Sequence, residues 1–247
     1  MATDEHDIGG ETARPWRNFY GRRHGKRMSD HQQDLLETRL EALAPAGVGW
    51  AENQGRAPLD PAALVPGAED LWLEIGFGGG EHMIATAEAH PEIGLIGCEP
   101  YVNGVAKLLS AIERAHGGQG LANLRLHAGD ARDLMDVLPA GAIGRVYLLY
   151  PDPWPKKRHH KRRFVNPDNL DQLARVMRPG AEIRIATDIE DYVRHTLEAM
   201  RADGRFAWTA ERPADWRAPW PGWPSTRYEA KALREGRRPH YLVFTRR

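Results

Sequence analysis

From Leu71 onward, short apolar runs alternate with segments whose apolar residues recur at helical spacing, and this alternation constrains the fold more than any other feature. The apolar runs predict strands over 71–75, 93–98, 123–127, 145–149 and 182–186. The intervening segments predict helices near 80–90, 102–116, 132–138, 167–177 and 189–202. Because strands joined through helices pair in parallel with right-handed crossovers, the pattern predicts a doubly wound α/β sheet.

The C-terminal part breaks this alternation. Two strand-like pieces, 206–209 and 241–245, follow the last predicted helix with no long helix between them. They favour an antiparallel hairpin, which makes the predicted sheet seven-stranded and mostly parallel. The stretch between the two pieces is rich in Pro and Trp and resembles no regular element. We interpret its tryptophans as packing under a long loop; they are Trp216, Trp220 and Trp223.

The N-terminal part has a different organisation. Residues 1–28 are polar and basic and lack periodicity, which predicts a flexible basic arm. Ser29 and Gln32 then stand at capping-box spacing before a leucine-rich helix that should end near Pro45. The remaining chain, 29–247, shows no internal repeat and is predicted to form a single domain.

Composition excludes several classes of protein. The chain has 247 residues, 41% of them hydrophobic, which is too many for a disordered protein and enough for a substantial core. Its one cysteine, Cys98, cannot form an internal disulfide. No apolar run is long enough to cross a bilayer and no secretory signal is visible, so we predict a cytoplasmic protein without a membrane partner. No group of residues has metal-ligand spacing, and the sequence leaves monomer and homodimer open.

Charge is balanced overall but segregated along the chain. Lys and Arg number 34, as do Asp and Glu, yet 1–13 holds four acids and no Lys or Arg. Six bases follow within 14–28, and another six lie within 156–163, both without an intervening acid. A charge run is usually a solvated face, but two unopposed basic clusters in a balanced chain favour a polyanionic partner.

A glycine-rich turn follows the first predicted strand. Gly76, Gly78 and Gly80 expose backbone N–H groups at the start of a helix, where a ligand can approach closely. Glu99 ends the second strand, where a carboxylate can accept both hydroxyls of a ribose. A pyrophosphate would be repelled by Glu74, whereas a cofactor with a cationic amino-acid end suits it.

A third acid completes this predicted site. Asp130, after the third strand, is placed to accept a hydrogen bond from the exocyclic amine of adenine. The glycine turn, Glu74, Glu99 and Asp130 together favour S-adenosylmethionine over NAD.

Pro151-Asp-Pro-Trp154 follows the fourth strand at the carboxyl edge of the sheet, where ligands bind in this architecture. The prolines fix the direction of Asp152, and Trp154 offers a flat face for a base. Six bases in eight residues come directly after the loop and favour a nucleic-acid acceptor. Asp188, at the end of the fifth strand, should face the same crevice.

These motifs together resemble the bacterial tRNA (guanine-N7-)-methyltransferases of the TrmB family. The resemblance runs from about Asn18 to the C-terminus and rests on Glu74–Gly80, Pro151–Lys156 with the basic run, Ala186–Asp188 and Thr226–Glu229. One departure is Tyr228, where the family usually has Phe. The resemblance implies a Rossmann-like methyltransferase domain that methylates N7 of the guanine at position 46 in the tRNA variable loop.

The resemblance also implies roles for individual residues. It makes Asp152 the catalytic residue. Its implied contacts with S-adenosylmethionine are Glu74, Gly76, Gly78, Glu99, Asp130 and Asp152. Its implied substrate contacts are Lys156, Asp188, Thr226, Arg227, Tyr228 and Glu229, and its implied RNA contacts are Arg158, His159, His160, Lys161, Arg162 and Arg163. We expect Asp188 and Glu229 to accept hydrogen bonds from guanine N1–H and the 2-amino group.

Three alternatives stay open at this point. An amino-group methyltransferase acting on DNA or protein also uses an Asp-Pro-Trp-like loop. A pure RNA-binding protein with a nucleotide-binding fold would bind tRNA without turnover. An NAD-linked oxidoreductase is disfavoured because Glu81 occupies the third glycine position of the dinucleotide pattern.

Overall fold

The computed structural model describes residues 18–117 and 120–247. Within them, seven strands form one sheet. The strands are β1 (Asp70–Ile75), β2 (Ile93–Cys98), β3 (Leu124–His127), β4 (Ile143–Leu149), β5 (Met177–Thr187), β6 (Phe206–Trp208) and β7 (His240–Arg246). The helices are α1 (Asp30–Leu43), α2 (Pro61–Leu64), α3 (Glu81–Ala89), α4 (Val102–His116), α5 (Ala131–Val137), α6 (Pro167–Val176), α7 (Glu190–Asp203), α8 (Ala214–Arg217) and α9 (Arg227–Arg234), with a 3₁₀ helix at Lys157–Arg162.

The strand order is β3-β2-β1-β4-β5-β7-β6. β1 to β5 pair in parallel, and β7 runs antiparallel to both β5 and β6. The predicted seven-stranded, mostly parallel sheet with a C-terminal antiparallel hairpin is therefore confirmed. From β1 the chain proceeds through β2 to β3 at one edge of the sheet, and from β4 it proceeds through β5 toward the other edge. The strand order therefore reverses between the adjacent strands β1 and β4. Ligand crevices form at such a switch point, at the carboxyl ends of the strands.

Two hydrophobic cores lie on opposite faces of the sheet. Alternation along β1 sends Leu71, Leu73 and Ile75 into a core that includes residues of α5, α6 and α7. Trp72 points the other way, into a core with α1, α3 and α4. Each face of the central strands is covered, which explains why these strands read as continuous apolar runs.

Two helix starts agree with their sequence signals. The Ser29 hydroxyl accepts the Gln32 N–H at 3.2 Å while the Gln32 side chain accepts the Ser29 N–H at 3.3 Å, a reciprocal capping box at α1. The Asn166 side chain likewise accepts the Asn169 N–H at 3.0 Å at the start of α6. Both caps satisfy backbone donors that have no partner within the helix.

The Pro- and Trp-rich stretch differs from its prediction. It contains α8 and α9, although it resembles no regular element in the sequence. α9 forms because the Thr226 side chain caps it by accepting the Glu229 N–H at 3.2 Å. The packing interpretation of the tryptophans is confirmed at Trp220, which is buried with its ring centroid 4.9 Å from that of Trp223.

β5 also begins earlier than predicted. It starts at Met177, which pairs with Ile143, and a register shift follows before Glu182 pairs with Arg145. The irregular segment contains Pro179 and Gly180, which hide the strand from a periodicity argument.

The described part of the predicted arm packs on the domain. The Val102 N–H donates to the Arg23 carbonyl at 3.0 Å, and the Asn103 side chain bonds the backbone of Gly25 and Lys26, each at 2.7 Å. The rest of the predicted arm, 1–17, lies outside the described residues. In the described ranges, no helix combines the length and apolar character needed to cross a membrane.

Candidate active site

A cleft of about 490 Å³ opens at the carboxyl ends of β1, β2, β3 and β4. Its wall is formed by the glycine turn, the start of α5, the Pro-Asp-Pro-Trp loop, the 3₁₀ helix, α9 and residues 18–22, which we call the N-terminal segment. Eight predicted site residues line it: Gly76, Gly78, Glu99, Asp130, Asp152, Lys161, Arg162 and Tyr228. Its volume lies within the range of about 300–1,000 Å³ usual for small-molecule sites.

The glycine turn forms the floor beside β1. Gly76 and Gly78 have φ angles of 73° and 58°, a left-handed conformation that other residues adopt only with strain. A Cβ placed on Gly76 would meet no heavy atom within 4 Å and would project into open space. Glycine at this position therefore keeps the cleft clear for a ligand that contacts the backbone.

Glu99 joins the turn to the end of β2. Its two carboxylate oxygens accept backbone N–H groups from Gly78 at 2.7 Å and from Tyr101 at 2.8 Å. Burial raises the pKa of Glu99, and these hydrogen bonds and the charge of Arg227 oppose that rise. Each oxygen keeps a second lone pair, so the carboxylate can still accept two hydroxyl groups of a ligand.

Asp130 caps α5 at the opposite wall. Its side chain accepts the Arg132 N–H at 3.0 Å and forms an ion pair with the Arg132 guanidinium at 2.5 Å. Arg132 also donates to the Asn18 carbonyl at 3.2 Å. The predicted adenine acceptor is thus held rigid, and it is linked to the N-terminal segment that covers this end of the cleft.

Asp152 projects from a loop with strained backbone. Tyr150 and Trp154, on either side of Pro-Asp-Pro, have φ angles of 48° and 42°, a region where bulky residues are rare. Such residues cost of the order of 1–3 kcal/mol each and persist where the surrounding structure holds them. The carboxylate remains exposed at the cleft rim, yet neighbouring protein atoms displace enough water to raise its pKa.

Glu74 does not lie on the wall of the main cleft. It is 2% exposed, and its carboxylate is 2.6 Å from Nδ1 of His82. The two side chains border a smaller cavity, which shares Gly76, Tyr150 and Tyr228 with the cleft. Its contact with the cofactor stays a prediction, because in this structure the carboxylate is engaged by the imidazole.

The polybasic segment divides into exposed and buried parts. Lys156, Lys157, Arg158 and Lys161 are exposed, whereas His159, His160 and Arg162 are half-buried. The Arg162 guanidinium stacks over both Tyr20 and Trp154, 4.6 and 5.0 Å from the ring centroids. Arg162 and Lys161 thus place positive charge at the rim beside Asp152.

The predicted RNA contact of Arg163 stays a prediction that its burial does not favour. Its side chain is 0% exposed, and it forms an ion pair with Asp191 of α7. The Arg163 Nε–H also donates to the Pro153 carbonyl at 2.9 Å. The guanidinium therefore supports the Pro-Asp-Pro-Trp loop from behind, and burial removes it from any surface that RNA could reach.

The motif Thr226–Glu229 also divides into exposed and buried residues. Tyr228 is 46% exposed and stacks on Tyr150, and Arg227 lies against the glycine turn. Glu229 is 5% exposed and accepts hydrogen bonds from Trp223, at 3.0 Å, and from the Tyr241 hydroxyl. Thr226 is buried as the cap of α9. The structure thus brings Tyr228 to the cleft and Arg227 to the glycine turn, whereas Thr226 and Glu229 are buried and their substrate contacts stay predictions.

Asp188 ends β5 close to the start of β7. It forms an ion pair with Arg237 at 2.5 Å, and its side chain is only 12% exposed. The predicted recognition of a guanine edge by Asp188 and Glu229 stays a prediction, since both carboxylates are engaged within the protein.

Several site residues escaped the sequence argument. His82 holds the Glu74 carboxylate, and Trp223 and Tyr241 hold that of Glu229. Tyr20 and Phe19 line the cleft from the N-terminal side. Tyr20 meets Trp154 edge-to-face at 6.3 Å, a contact between distant parts of the chain. His82 could have been found from the sequence, because it follows the glycine turn by two residues and Glu74 precedes that turn. No local pattern marks Tyr20.

Comparison with known proteins agrees with this geometry. A family described as "Putative methyltransferase" matches residues 68–242. The tRNA (guanine-N(7)-)-methyltransferase of Roseobacter denitrificans is 60% identical over 233 residues, covering 94% of this chain and 97% of that protein. Proteins with the same name from Ruegeria pomeroyi and Mesorhizobium japonicum are 61% and 50% identical, covering 94% and 93% of this chain and 96% and 94% of theirs.

Solved structures resemble the fold more distantly. An antibiotic-related methyltransferase superposes with a TM-score of 0.54 at 15% identity, covering 77% of this chain and 96% of that one. The 16S rRNA methyltransferase KamB gives 0.53 at 19% identity, covering 74% and 90%. These likenesses concern the fold alone.

Proposed function

Since the chain belongs to the tRNA (guanine-N7-)-methyltransferase family, we propose that it transfers a methyl group from S-adenosylmethionine to N7 of guanine 46 in the tRNA variable loop. The observation that carries the proposal is the meeting of three carboxylates, Glu99, Asp130 and Asp152, in one cleft with a polybasic rim. The acids suit a cationic nucleoside cofactor and the rim suits an RNA acceptor.

The cleft fits S-adenosylmethionine by the chemistry of its walls. Glu99 would accept the ribose hydroxyls with its remaining lone pairs. Asp130 lines the cleft, and its predicted acceptance from the adenine amine would add to its ion pair with Arg132. Asp152, which also lines the cleft, would supply negative charge that suits the ammonium and sulfonium groups of the cofactor. The open space above Gly76 lets the cofactor lie against the backbone without meeting a Cβ.

The chemistry requires no protein nucleophile. When bound, S-adenosylmethionine would supply a methyl group on a positively charged sulfur. The in-plane lone pair of guanine N7 would form the new N–C bond while the C–S bond breaks, and the sulfur would keep that electron pair and leave as a neutral thioether, with no proton lost from N7. The chain's contribution is positioning, worth up to about 7–11 kcal/mol in well-oriented intramolecular systems. Asp152 would also offset the positive charge that develops on the purine.

The rim supports binding of the acceptor base and its phosphates. Trp154 and Tyr228 line the cleft, and stacking of a base on an aromatic side chain there would be worth about 1–3 kcal/mol. Lys156, Arg158, Lys161 and Arg162 would bind RNA phosphates, with His159 and His160 beside them. Arg163 is left out of this set because it is buried.

Other properties follow from the substrate. A tRNA-modifying enzyme would work in the cytoplasm, where its tRNA is found. Whether it acts as a monomer or a homodimer stays a prediction.

The proposal is tested by transfer of labelled methyl from S-adenosylmethionine to unmodified tRNA transcripts, followed by strand scission at 7-methylguanine. We expect one break, in the variable loop, with wild-type protein. Label without that break would move the acceptor atom, and no label at all would leave a tRNA-binding protein with a methyltransferase fold.

A further inference from the structure

A second cationic surface lies on the opposite side of the cleft from the polybasic segment. Arg227, Lys231 and Arg234 follow one another at spacings of four and three residues along α9, so they project from one face of the helix. Lys231 and Arg234 are exposed, and so is Arg238, which follows the turn at Gly236. We call these four residues the α9 stripe.

The stripe starts at the cofactor cleft and leads away from it. The Arg227 guanidinium lies where a Cβ on Gly79 would come within 2.8 Å of it, and the neighbouring Tyr228 lines the cleft. Seven residues of helix then carry Arg234 about 10 Å farther along the axis. The stripe is thus continuous with the site instead of being a separate patch.

The two basic surfaces approach the cleft from opposite faces of the sheet. The polybasic segment leads into Val165, which belongs to the core under α5, α6 and α7. α9 is held through Glu229 to Tyr241 and Trp223, on the other core. An RNA strand whose base enters the cleft would therefore meet positive charge on both sides of that base.

Two cations of the stripe are paired with acids and two are available to an outside partner. The paired ones are Lys231, 3.9 Å from Glu235, and Arg227, 3.7 Å from Glu81. Arg234 and Arg238 have no acidic partner among residues 18–117 and 120–247. Glu235, the acid in this surface, is also bound to Arg237.

A simpler explanation covers only part of the stripe. Basic residues are favourable in the last turn of a helix because they interact with its dipole, which accounts for Lys231 and Arg234. The same dipole disfavours Arg227 in the first turn, and Arg238 lies beyond the helix. Interaction with the dipole therefore does not explain why positive charge continues from the cleft past the end of α9.

We propose that the α9 stripe is a second phosphate-binding surface for the tRNA, which holds the strand on the side of the target base opposite the polybasic segment. This inference rests on the proposed function for the identity of the RNA. Its occupant is the phosphate backbone, because exposed arginines offer charge-assisted hydrogen bonds to phosphate, and such contacts position a strand without reading its bases.

The test compares two double variants by their affinity for unmodified tRNA transcripts at several salt concentrations. Arg234→Gln with Arg238→Gln removes the two unpaired cations of the stripe. Arg114→Gln with Arg201→Gln is the matched control, since both are exposed arginines in the last turns of α4 and α7, which end at the other edge of the sheet. Circular dichroism and affinity for S-adenosylmethionine check that each variant is folded.

We expect the stripe variant to bind tRNA roughly tenfold or more weakly at 0.1 M salt, with the log–log salt slope reduced by about 1.4–1.8. The control should stay within about twofold of wild type, since it removes no phosphate contact. An unchanged slope in the stripe variant, or an equal loss in the control, would overturn the inference.

Methyl transfer in the same samples reports separately on the proposed function. If wild-type protein binds tRNA through the α9 stripe but leaves guanine N7 unmethylated, the result would support the proposed phosphate-binding surface and contradict the proposed reaction.

Discussion

Tyr150 and Trp154 keep left-handed backbone conformations on either side of Asp152, and each is held by an aromatic contact outside the loop. Tyr150 stacks on Tyr228 of α9, and Trp154 meets Tyr20 of the N-terminal segment. Arg163 adds a hydrogen bond from behind to the Pro153 carbonyl. The conformation of the loop that carries Asp152 is thus supported by contacts from three other parts of the chain.

The Asp152 carboxylate should set the acid limb of activity. Neighbouring protein atoms displace water from it and raise its pKa, so it becomes protonated at a higher pH than an ordinary aspartate as the solution is acidified. Asp152→Asn should lower kcat by about 100- to 1,000-fold. The residual activity of this variant should no longer show the decrease at low pH that protonation of Asp152 causes. The pH profile of methyl transfer measures both effects. Exposed Asp168→Asn is the control, and a variant that keeps full activity would contradict the assignment.

Stability gives an independent readout of the same group. Because the folded pKa is raised above the unfolded one, the native state binds more protons, and this group's contribution to stability falls as pH rises through the interval between the two pKa values. Asp152→Asn should therefore be more stable than wild type above that interval and not below it. Denaturant unfolding at several pH values tests this; a variant less stable than wild type at neutral pH would contradict the sign.

Arg163 and Arg158 should behave oppositely although they lie in one basic run. Arg163→Gln breaks a buried pair and should lower the free energy of unfolding by about 3 kcal/mol, near the low end for buried pairs because Asp191 remains partly solvated. Arg158→Gln should change stability by less than about 0.5 kcal/mol. It should instead reduce the salt slope of tRNA binding by about 0.7–0.9. Equal effects of the two substitutions on unfolding would refute this division.

At the scale of elements, α4 is packed directly on the glycine turn. A Cβ on Gly104 would come within 2.4 Å of the Gly78 carbonyl oxygen and 3.3 Å of the Glu99 side chain. The first atom belongs to the backbone and cannot rotate away. The close approach of α4 therefore shapes both the floor of the cleft and the carboxylate at its wall.

Gly104→Ala should consequently destabilise the protein, although Ala in a helix interior is normally better than Gly by about 0.5–1 kcal/mol. Overpacking of this kind costs about 1–3 kcal/mol, and the displaced turn should also weaken binding of S-adenosylmethionine. Urea unfolding and calorimetric titration measure the two effects. Lys107→Ala, on the exposed side of the same helix, is the control, and a Gly104→Ala variant more stable than wild type would show that the turn yields without cost.

The sequence pattern alone predicted those helices and strands whose signals lie within a few consecutive residues. β1 to β4 are apolar runs bounded by turn signals, and α6 has its cap, its proline and its acidic first turn in consecutive positions. α9 was missed because its only apolar residues are Tyr228, Ala230, Ala232 and Leu233, too few to mark an apolar face. Its Thr226 cap is local, but the hydrogen bonds of Glu229 with Trp223 and Tyr241, which also hold it, depend on the tertiary fold.

At the scale of the whole molecule, the sheet order brings the candidate site together. The carboxyl ends of β1, β2, β3 and β4 place Gly76, Glu99, Asp130 and Asp152 around one cleft, so the position of these residues was predictable from topology. The burial of Glu74 in β1, of Glu229 in α9 and of Arg163 after the 3₁₀ helix was not predictable, because the local sequence around a charged residue does not show whether its side chain turns toward solvent or into the core. Charge type was readable from sequence, and side-chain partners were not.

The most direct test of the proposed reaction uses a tRNA in which guanine 46 alone is replaced by 7-deazaguanine. This base keeps the Watson–Crick edge of guanine and lacks the N7 lone pair. The proposed chemistry predicts that the substituted tRNA binds with near-normal affinity and accepts no labelled methyl group, while the unsubstituted transcript is methylated once. Equal labelling of the two transcripts would contradict it, because the methyl group would then be on another atom.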